Sequence, residues 1–581
     1  MTSDMNAATG ATTAGTGNTT GTGTGRGGGR DGEQATAART ARPAGRSRQP
    51  LLAGIDIGST HCKALLCTPT GGVVARAQRP TPRSSDQLTY DAAELTSAAL
   101  GALTDCVRAA GRAPDTIGLT GMAETGVPLD RHGAPIGPVL AWSDPAPAPH
   151  AERLARLHGT AELHARTGVL PSAKVPLARW CWLSEHHPER LNRMRQWAGA
   201  ADLVARSLTG RVGTEVTFAQ RTMAWEHGSG TESGRWNAEL LAEAGLTPAH
   251  MPHVHAPGRP VGAVTRAVAR SLGLRAGAHV VVAGHDHLVG AWISGARGAG
   301  RAADSMGTAE AVLTVSDTPP DLAAAAAEGM SWGRHVDGTH WVTLAGMSTS
   351  GALVEWFCDR FLYPVGREGA AAAANGRAHS GDRTAGAAGP DAPSAPSPDE
   401  LTVRYRDFAR LVEQDGAEGT GLPARPTGIT VEPYLQGRSA PRPDPAARLA
   451  VHGMASRHGP ADLALALLEG AAYHARWMAE VQAELAGTTP QTVTLVGGST
   501  RQRTWTALKA AVSPWTTEVC TEAEAPCLGA AAWGGAAIGL DPAGIRPPSR
   551  TLHVDGSNAA AHRTAYRERF LPHVLLPSPG N

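Results

Sequence analysis

Residues 51–63 read LLAGIDIGSTHCK, and this stretch decides the fold. The run to Ile57 is apolar apart from Gly54 and Asp56, the pattern of a strand buried on both faces. Gly58 turns the chain, CKALLCT (62–68) alternates as a second strand, and Pro69-Thr70-Gly71-Gly72 reads as a hairpin turn before VVARAQR (73–79). The corner carries the parts of a phosphate cradle. Gly58 lets the backbone approach an anion, Ser59 and Thr60 offer hydroxyls, and Lys63 offers a positive charge. Asp56, at the strand end, is suited to hold magnesium through water. Taken alone, the same residues also describe an ordinary β-turn with a surface lysine.

Outward from this corner, AAELTSAALGALTDCVRAAG (92–111) has helical periodicity and IGLTGM (117–122) reads as another strand. Strands and helices alternating on this scale predict an α/β architecture. The hairpin then recurs. In ADSMGTAEAVLTVSD (303–317), Asp304, Gly307 and Thr308 stand as Asp56, Gly58 and Thr60 do in the first copy. Two such hairpins opening two halves of a chain predict duplicated domains facing a cleft. Further along come a long helix over 460–486, the strand and glycine turn VTLVGGS (493–499), and a helix containing WTALKAAV (505–512). APCLGAAAWGGAAIGL (525–540) is a helix of small residues able to pack closely on a neighbour, and the chain beyond Asp541 reads as less regular.

At 581 residues the chain exceeds one ordinary core. The expected divisions are a disordered Gly/Thr/Arg-rich tail (1–50), an N-terminal domain (51–298), a C-terminal domain (299–545) and a C-terminal tail segment (546–581). An Ala/Gly/Pro/Ser-rich insertion spans 366–427, interrupted by one helical piece, VRYRDFARLVEQ (403–414). With 53 Lys+Arg against 52 Asp+Glu, the net charge of +1 calls for neither nucleic acid nor an anionic membrane as partner. Seven scattered cysteines form no disulfide framework and favour a reducing cytoplasm. There is no apolar run long enough for a membrane span and no secretory h-region. Gly23, Gly25 and Gly28 fit GxGxxG, but with no strand before them the match reads as chance in a glycine-rich tract. No GxxxxGK[ST] P-loop occurs.

In VVAGHDHLVG (281–290) two histidines flank an aspartate. Alternate residues of a flat strand share a face, so His285 and His287 would converge as a metal pair. Such sites need further ligands, and the spacing of His186, His253 and His255 singles none of them out.

Together these segments resemble the FGGY carbohydrate kinases of the actin-like ATPase group. The resemblance rests on DIGST with Lys63, GLTGMAETG (118–126), LAWSD (140–144), ADLVARSLTG (201–210), AGHDH (283–287) and DSMGTAEAV (304–312). It continues through PYLQGRSAPRPDPAARLAVHGM (433–454), LLEGAAYHAR (467–476) and VGGSTRQRTWTALKAAV (496–512). The resemblance implies two ribonuclease-H-like domains around a central cleft that holds ATP and Mg2+. The γ-phosphate would pass to a hydroxyl of a sugar, with a ketose as first choice, or of a polyol.

In that reading Asp286 is the general base, and Met122, Glu124, Trp142, Asp144 and His287 meet the substrate. Gly58, Ser59, Thr60, Lys63, Gly307, Thr308, Gly497 and Gly498 bind ATP and its phosphates, and Asp56 steadies the magnesium. Partners are then ATP and a small sugar or polyol, with a homodimer as a possible assembly. Three departures stand out. Ala123 replaces the arginine that glycerol kinases carry, Pro145 follows Asp144, and Ser499 follows the glycine pair. Trp180 and Trp182 read either as part of a sugar-binding wall or as core. Two other classes remain open: a metal-dependent hydrolase using His285 and His287, and a non-catalytic actin-like ATP-binding protein.

Overall fold

The computed structural model describes residues 49–228, 234–307, 309–347, 349–363, 398–413, 423 and 425–576. Thr308, the GxGxxG match in the N-terminal tail and most of the 366–427 segment lie outside the described residues.

The opening stretch forms β1 (Leu52–Ile57) and β2 (His61–Cys67), which pair antiparallel with Asp56 opposite Lys63. β3 (Val73–Pro80) follows the expected turn, where Thr68 and Gly72 close the hairpin at 2.9 Å. Helix α1 (Ala92–Ala110) starts at Asp91, whose carboxylate accepts from the N–H groups of Ala93 and Glu94, and stops at Gly111 in the left-handed region. β4 (Thr116–Gly121), the short β5 (Gly262–Ala263) and β6 (His279–His285) complete a sheet of order β5-β6-β4-β1-β2-β3. Helix α2 (Asp286–Ile293) leaves the end of β6 directly.

The second half repeats this plan. β7 (Arg301–Met306) and β8 (Glu310–Ser316) form the second hairpin, extended by β9 (Ser331–Arg334) and β10 (Trp341–Met347). After the long helix α3 (Pro460–Ala486) come β11 (Thr492–Val496), α4 (Arg503–Val512), β12 (Thr516–Cys520), helix α5 (Ala525–Ala536) and β13 (Ser549–Thr551). The sheet order is β9-β10-β8-β7-β11-β12-β13. In both sheets an antiparallel hairpin is followed by two parallel partners (β1 to β4 to β6, and β7 to β11 to β12), so the short sequence likeness marks a duplicated topology.

The small-residue helix α5 does pack closely, and on the first sheet rather than its own. A Cβ at Gly54 would lie 1.7 Å from the carbonyl oxygen of Cys527, and one at Gly118 would lie 1.7 Å from that of Ala530. Only glycine on β1 and β4 lets the helix backbone rest on the sheet. Leu52, Ala283, Leu288 and Trp292 from the first half meet Ala303, Leu313, Val496 and Trp533 from the second in one apolar cluster.

One expectation changes. The chain beyond Asp541 is regular: β13 joins the second sheet, and helices at Gly556–Ala565 and Leu571–Leu575 bury Ala559, Tyr566, Phe570 and Val574. The helical piece of the 366–427 segment is present as Pro398–Glu413, with Phe408 and Val412 in the core.

Candidate active site

The parallel strands β1, β4 and β6 end side by side, with Ile57 beside Gly121 and Gly121 beside His285. Open α/β sheets present their chemistry outside such carboxyl ends. Here they bring Asp56, the Met122–Glu124 turn and Asp286 together. The turn from β6 into α2 depends on Gly284. Its φ is 126°, and a Cβ there would lie 2.6 Å from Thr217 Oγ1 and 2.9 Å from Glu215 Oε2. Thr120 Oγ1 donates to the Gly284 carbonyl at 2.6 Å, and the His285 N–H donates to Thr217 Oγ1 at 2.8 Å.

This geometry replaces the flat-strand reading of His285 and His287. His285 ends the strand, Asp286 starts the helix, and His287 lies in its first turn. The His287 N–H donates to Asp286 Oδ1 at 2.7 Å, and its Nδ1 meets Ser305 Oγ of β7 at 3.1 Å, a contact across the two sheets. His285 Nε2 lies 3.2 Å from Asp286 Oδ1. One nitrogen from each ring and a carboxylate oxygen of Asp286 all lie within 4.8 Å of one another, so the trio has the donor set of a metal site.

Two carboxyls at these strand ends are raised. Asp286 is pushed up to about 7, first by burial and then by the charge of Glu124, against the lowering effect of the His287 N–H. Asp56 is likewise pushed to about 7, by burial and then by Asp286, with Lys63 opposing. The charge of Asp286 thus raises its neighbour Asp56, and the pair titrates together near neutral pH. Burial holds His287 below the ordinary histidine range, so its ring is neutral there.

The residues expected to meet phosphate sit on tight turns. The Gly58 N–H donates to the His61 carbonyl at 3.2 Å. Ser59 is half-buried and Thr60 exposed at the rim. Lys63 is not a free cation: its Nζ lies 2.8 Å from Glu524 Oε2, at the start of α5. On the second sheet, a Cβ at Gly497 would lie 2.6 Å from the Met306 carbonyl, so that glycine is needed for close approach. Gly498 faces open space within 4 Å. Gly307 is tied to Gly351, whose N–H donates to its carbonyl at 3.0 Å. Asp304 answers Asp56 by position but not by role, because Lys509 Nζ holds it at 2.6 Å. Asp56 keeps one buried oxygen, Oδ1, with no hydrogen-bond partner.

On the substrate side, Glu124 has a φ of 59°, and its carboxylate lies 2.6 Å from Arg221 Nη2. Its side chain is 11% exposed, so it is not an ordinary surface turn residue. Arg221, Arg179 and Lys174 escaped the sequence reading. The guanidinium lacking at Ala123 comes to Glu124 from Arg221, 97 residues away in the chain. Fully buried Arg179 donates to the carbonyls of Glu124 and Ala141, at 2.6 and 2.8 Å. The Lys174 ammonium stands 5.3 Å from the Trp142 ring centre. Asp144 is buried and accepts from the Ala146 N–H at 3.0 Å, closing a turn. It is no helix cap, since the next helix is capped at Pro147. Trp180 is fully buried against Trp197, and Trp182 stacks on His186, so both belong to packing. Met122, Glu124, Thr125, Trp197, Thr222 and Trp236 line a small cavity on the Glu124 side of the site.

Arg221→Ala should raise the KM for the accepted sugar more than it lowers kcat, because it frees Glu124 without touching Asp286. Losing a charge-assisted hydrogen bond of this kind costs about 1.5–3 kcal/mol, or roughly 10- to 100-fold in kcat/KM. Steady-state kinetics with Arg221→Lys alongside read the effect, and an unchanged KM would show that the pair does not shape the sugar site.

The model of the FGGY family of carbohydrate kinases, N-terminal domain, matches residues 51–292, and that of the C-terminal domain matches residues 302–538. The xylulose kinase of Streptomyces rubiginosus is 36% identical over 218 residues, which are 37% of this chain and 44% of that protein. The L-fuculokinase of Escherichia coli is 27% identical over 248 residues, 41% of this chain and 51% of the relative. The chain thus spans about half the length of these curated relatives. The crystal structure of a xyloylose kinase from Brucella ovis shares the fold, with a TM-score of 0.75 at 22% identity over 91% of this chain and 99% of that one. No helix among the described residues is long and apolar enough to cross a membrane. Both domain models match in order along the chain, one on each of the two sheets, and the chain belongs to the FGGY family of carbohydrate kinases.

Proposed function

We propose that the chain transfers the γ-phosphate of ATP to a hydroxyl of a ketose, with Asp286 as general base. The observation that carries this reading is the Asp286 carboxyl, half-buried where the strand β6 ends and pushed up to about 7. A base whose pKa lies near the working pH combines availability with driving force. The names of two relatives, a xylulose kinase and an L-fuculokinase, support a ketose as the acceptor.

Phosphoryl transfer asks mainly for alignment and charge neutralisation. In this reading Glu124, Asp144 and Trp142 orient the sugar, since each carboxylate can accept several O–H bonds. Met122 packs beside the sugar, and His287 reads the acceptor through Nε2, its Nδ1 being engaged by Ser305. Asp286 takes the hydroxyl proton. Gly58, Ser59, Thr60, Lys63, Gly307, Thr308, Gly497 and Gly498 hold the nucleotide and its phosphates. Magnesium fits this donor set, because Asp56 Oδ1 is a buried acceptor without a partner, next to a second carboxyl that repels it. Bound with ATP, the ion supplies positive charge to the phosphate oxygens.

The test is ADP release with ATP and Mg2+ across D-xylulose, L-fuculose, other ketoses and short polyols. ADP release stimulated by one of them supports the kinase. ATP binding without any sugar response would support a non-catalytic ATP-binding protein. The ligand distances in His285-Asp286-His287 favour a second reading, a metal-dependent hydrolase. Its mark would be zinc-dependent hydrolysis indifferent to ATP.

The pH dependence follows in sign. The base works as the carboxylate, so protonation as pH falls through about 7 removes the active form. kcat/KM should fall roughly tenfold per pH unit on that side. A profile flat from about pH 5 to about pH 8 would contradict a base buried in this way.

A further inference from the structure

Far from the cleft in sequence, three side chains from three separate elements meet at one point. Glu432 ends the strand Thr430–Glu432, and His452 ends its antiparallel partner Ala450–His452. His573 comes from the last described helix, Leu571–Leu575. His452 Nε2 lies 3.0 Å from Glu432 Oε1, and the rings of His452 and His573 stack with centres 4.0 Å apart and 14° between planes. All three are half-buried, and one ligand atom from each lies within 4.8 Å of the others.

We propose that Glu432, His452 and His573 form a site for a divalent transition-metal ion of the zinc class, tying the C-terminal helix to this hairpin.

The chemistry fits in three respects. Two imidazoles and one carboxylate are a borderline-soft set that suits Zn2+ better than Mg2+ or Ca2+. Burial first, and then the neighbouring His452 imidazole, holds His573 below the ordinary histidine range, toward the neutral form that binds metal. The His573 ring nitrogens have no hydrogen bond among the described residues, so a ligand atom is available there without breaking a contact. Metal bonds of about 2.0–2.2 Å need only a modest closing of the side chains, and partial exposure leaves a fourth position for water.

The other two candidate clusters among the described residues differ. His285-Asp286-His287 belongs to the proposed catalytic centre. In His150-Glu185-His186 the last two are exposed, and His186 Nδ1 already faces the Trp182 carbonyl at 3.1 Å. The proposed site reaches the second phosphate corner by a short route. Pro433, next to Glu432, accepts from Thr349 Oγ1 through its carbonyl, and Ser350 donates to Glu310 at 2.7 Å.

The experiment titrates the full chain, stripped with a chelator, with Zn2+ against a chromophoric competitor. Wild type, His573→Ala, His452→Ala and Glu432→Gln are compared, each with a thermal melt in chelator as control. Wild type should bind one more equivalent than His573→Ala and His452→Ala, or bind at least about tenfold more tightly. Zinc should raise its Tm, and this rise should be lost in the histidine variants. Equal numbers of equivalents at equal affinity in wild type and variants would overturn the proposal, as would wild type that binds none. If a variant melts lower than wild type in chelator, Zn2+ binding by Glu432→Gln decides, since that change preserves shape.

Discussion

Asp286→Asn should lose about 10²- to 10⁴-fold in kcat on the accepted sugar while keeping the fold and the affinity for ATP. Asparagine has the same outline and cannot take a proton. Its side-chain oxygen can still accept from the His287 N–H, which now donates to the carboxylate at 2.7 Å. The melting temperature should hold or rise, and the sign follows from the buried pair. Asp286 and Asp56 are raised from the ordinary carboxylate value to about 7, so the folded state favours their protonated forms. Stability linked to them is fully present below the unfolded pKa and is lost as pH rises through about 7. A neutral amide removes that loss at one of the two positions and lets Asp56 ionise more easily. Lower activity with equal or higher stability is the trade-off expected of a residue kept for chemistry. Kinetics and melts at about pH 8 read both effects. Near-wild-type turnover would take the base role from Asp286, and a lowered Tm would show that the carboxylate is held for structure.

What the sequence disclosed was local. Gly58 and Gly497 declare themselves because a turn or a close approach is decided within a few residues. The two hairpins were legible for the same reason, and with them the duplicated sheets. The partners of the site residues were not. Arg221 reaches Glu124 across 97 positions, and Lys509 reaches Asp304 across 205. Neither sits in a pattern that advertises its partner, since an ion pair depends on where the fold returns the chain. Lys63 was read as a phosphate cation because its local turn suggests one. Its pairing with Glu524 became visible only once α5 was seen to lie on the first sheet. The strand-alternation argument at His285 and His287 failed at a boundary: the helix begins between them.

Lys509→Met should destabilise the second half by about 3–5 kcal/mol, the range for removing one partner of a buried ion pair. The Lys509 side chain is 3% exposed, and its ammonium lies 2.6 Å from Asp304 and 2.7 Å from Glu310, themselves 4% and 0% exposed. Glu310 also accepts from Ser350, whereas Asp304 Oδ1 has no partner. Methionine fills similar volume, so the expected loss comes from two stranded carboxylates rather than from a cavity. Burial and Asp304 already push Glu310 to about 7, with Lys509 holding it down. Without the lysine its value rises further, so the deficit should be largest above neutral pH and shrink as pH falls and the carboxyls protonate. Neutralising them as well, in Lys509→Met with Asp304→Asn and Glu310→Gln, should recover much of the loss. ATP affinity should fall with stability in the single variant. Asp304 lies two positions before Met306, the neighbour of Gly497, and Ser350 adjoins Gly351, which holds Gly307. The triad therefore ties β7, α4 and both glycine turns into one block, which is why the proposed nucleotide surface should loosen with it. Thermal melts across pH, with nucleotide titration, measure both effects. A single variant with unchanged Tm would show that the three charges contribute no net stability.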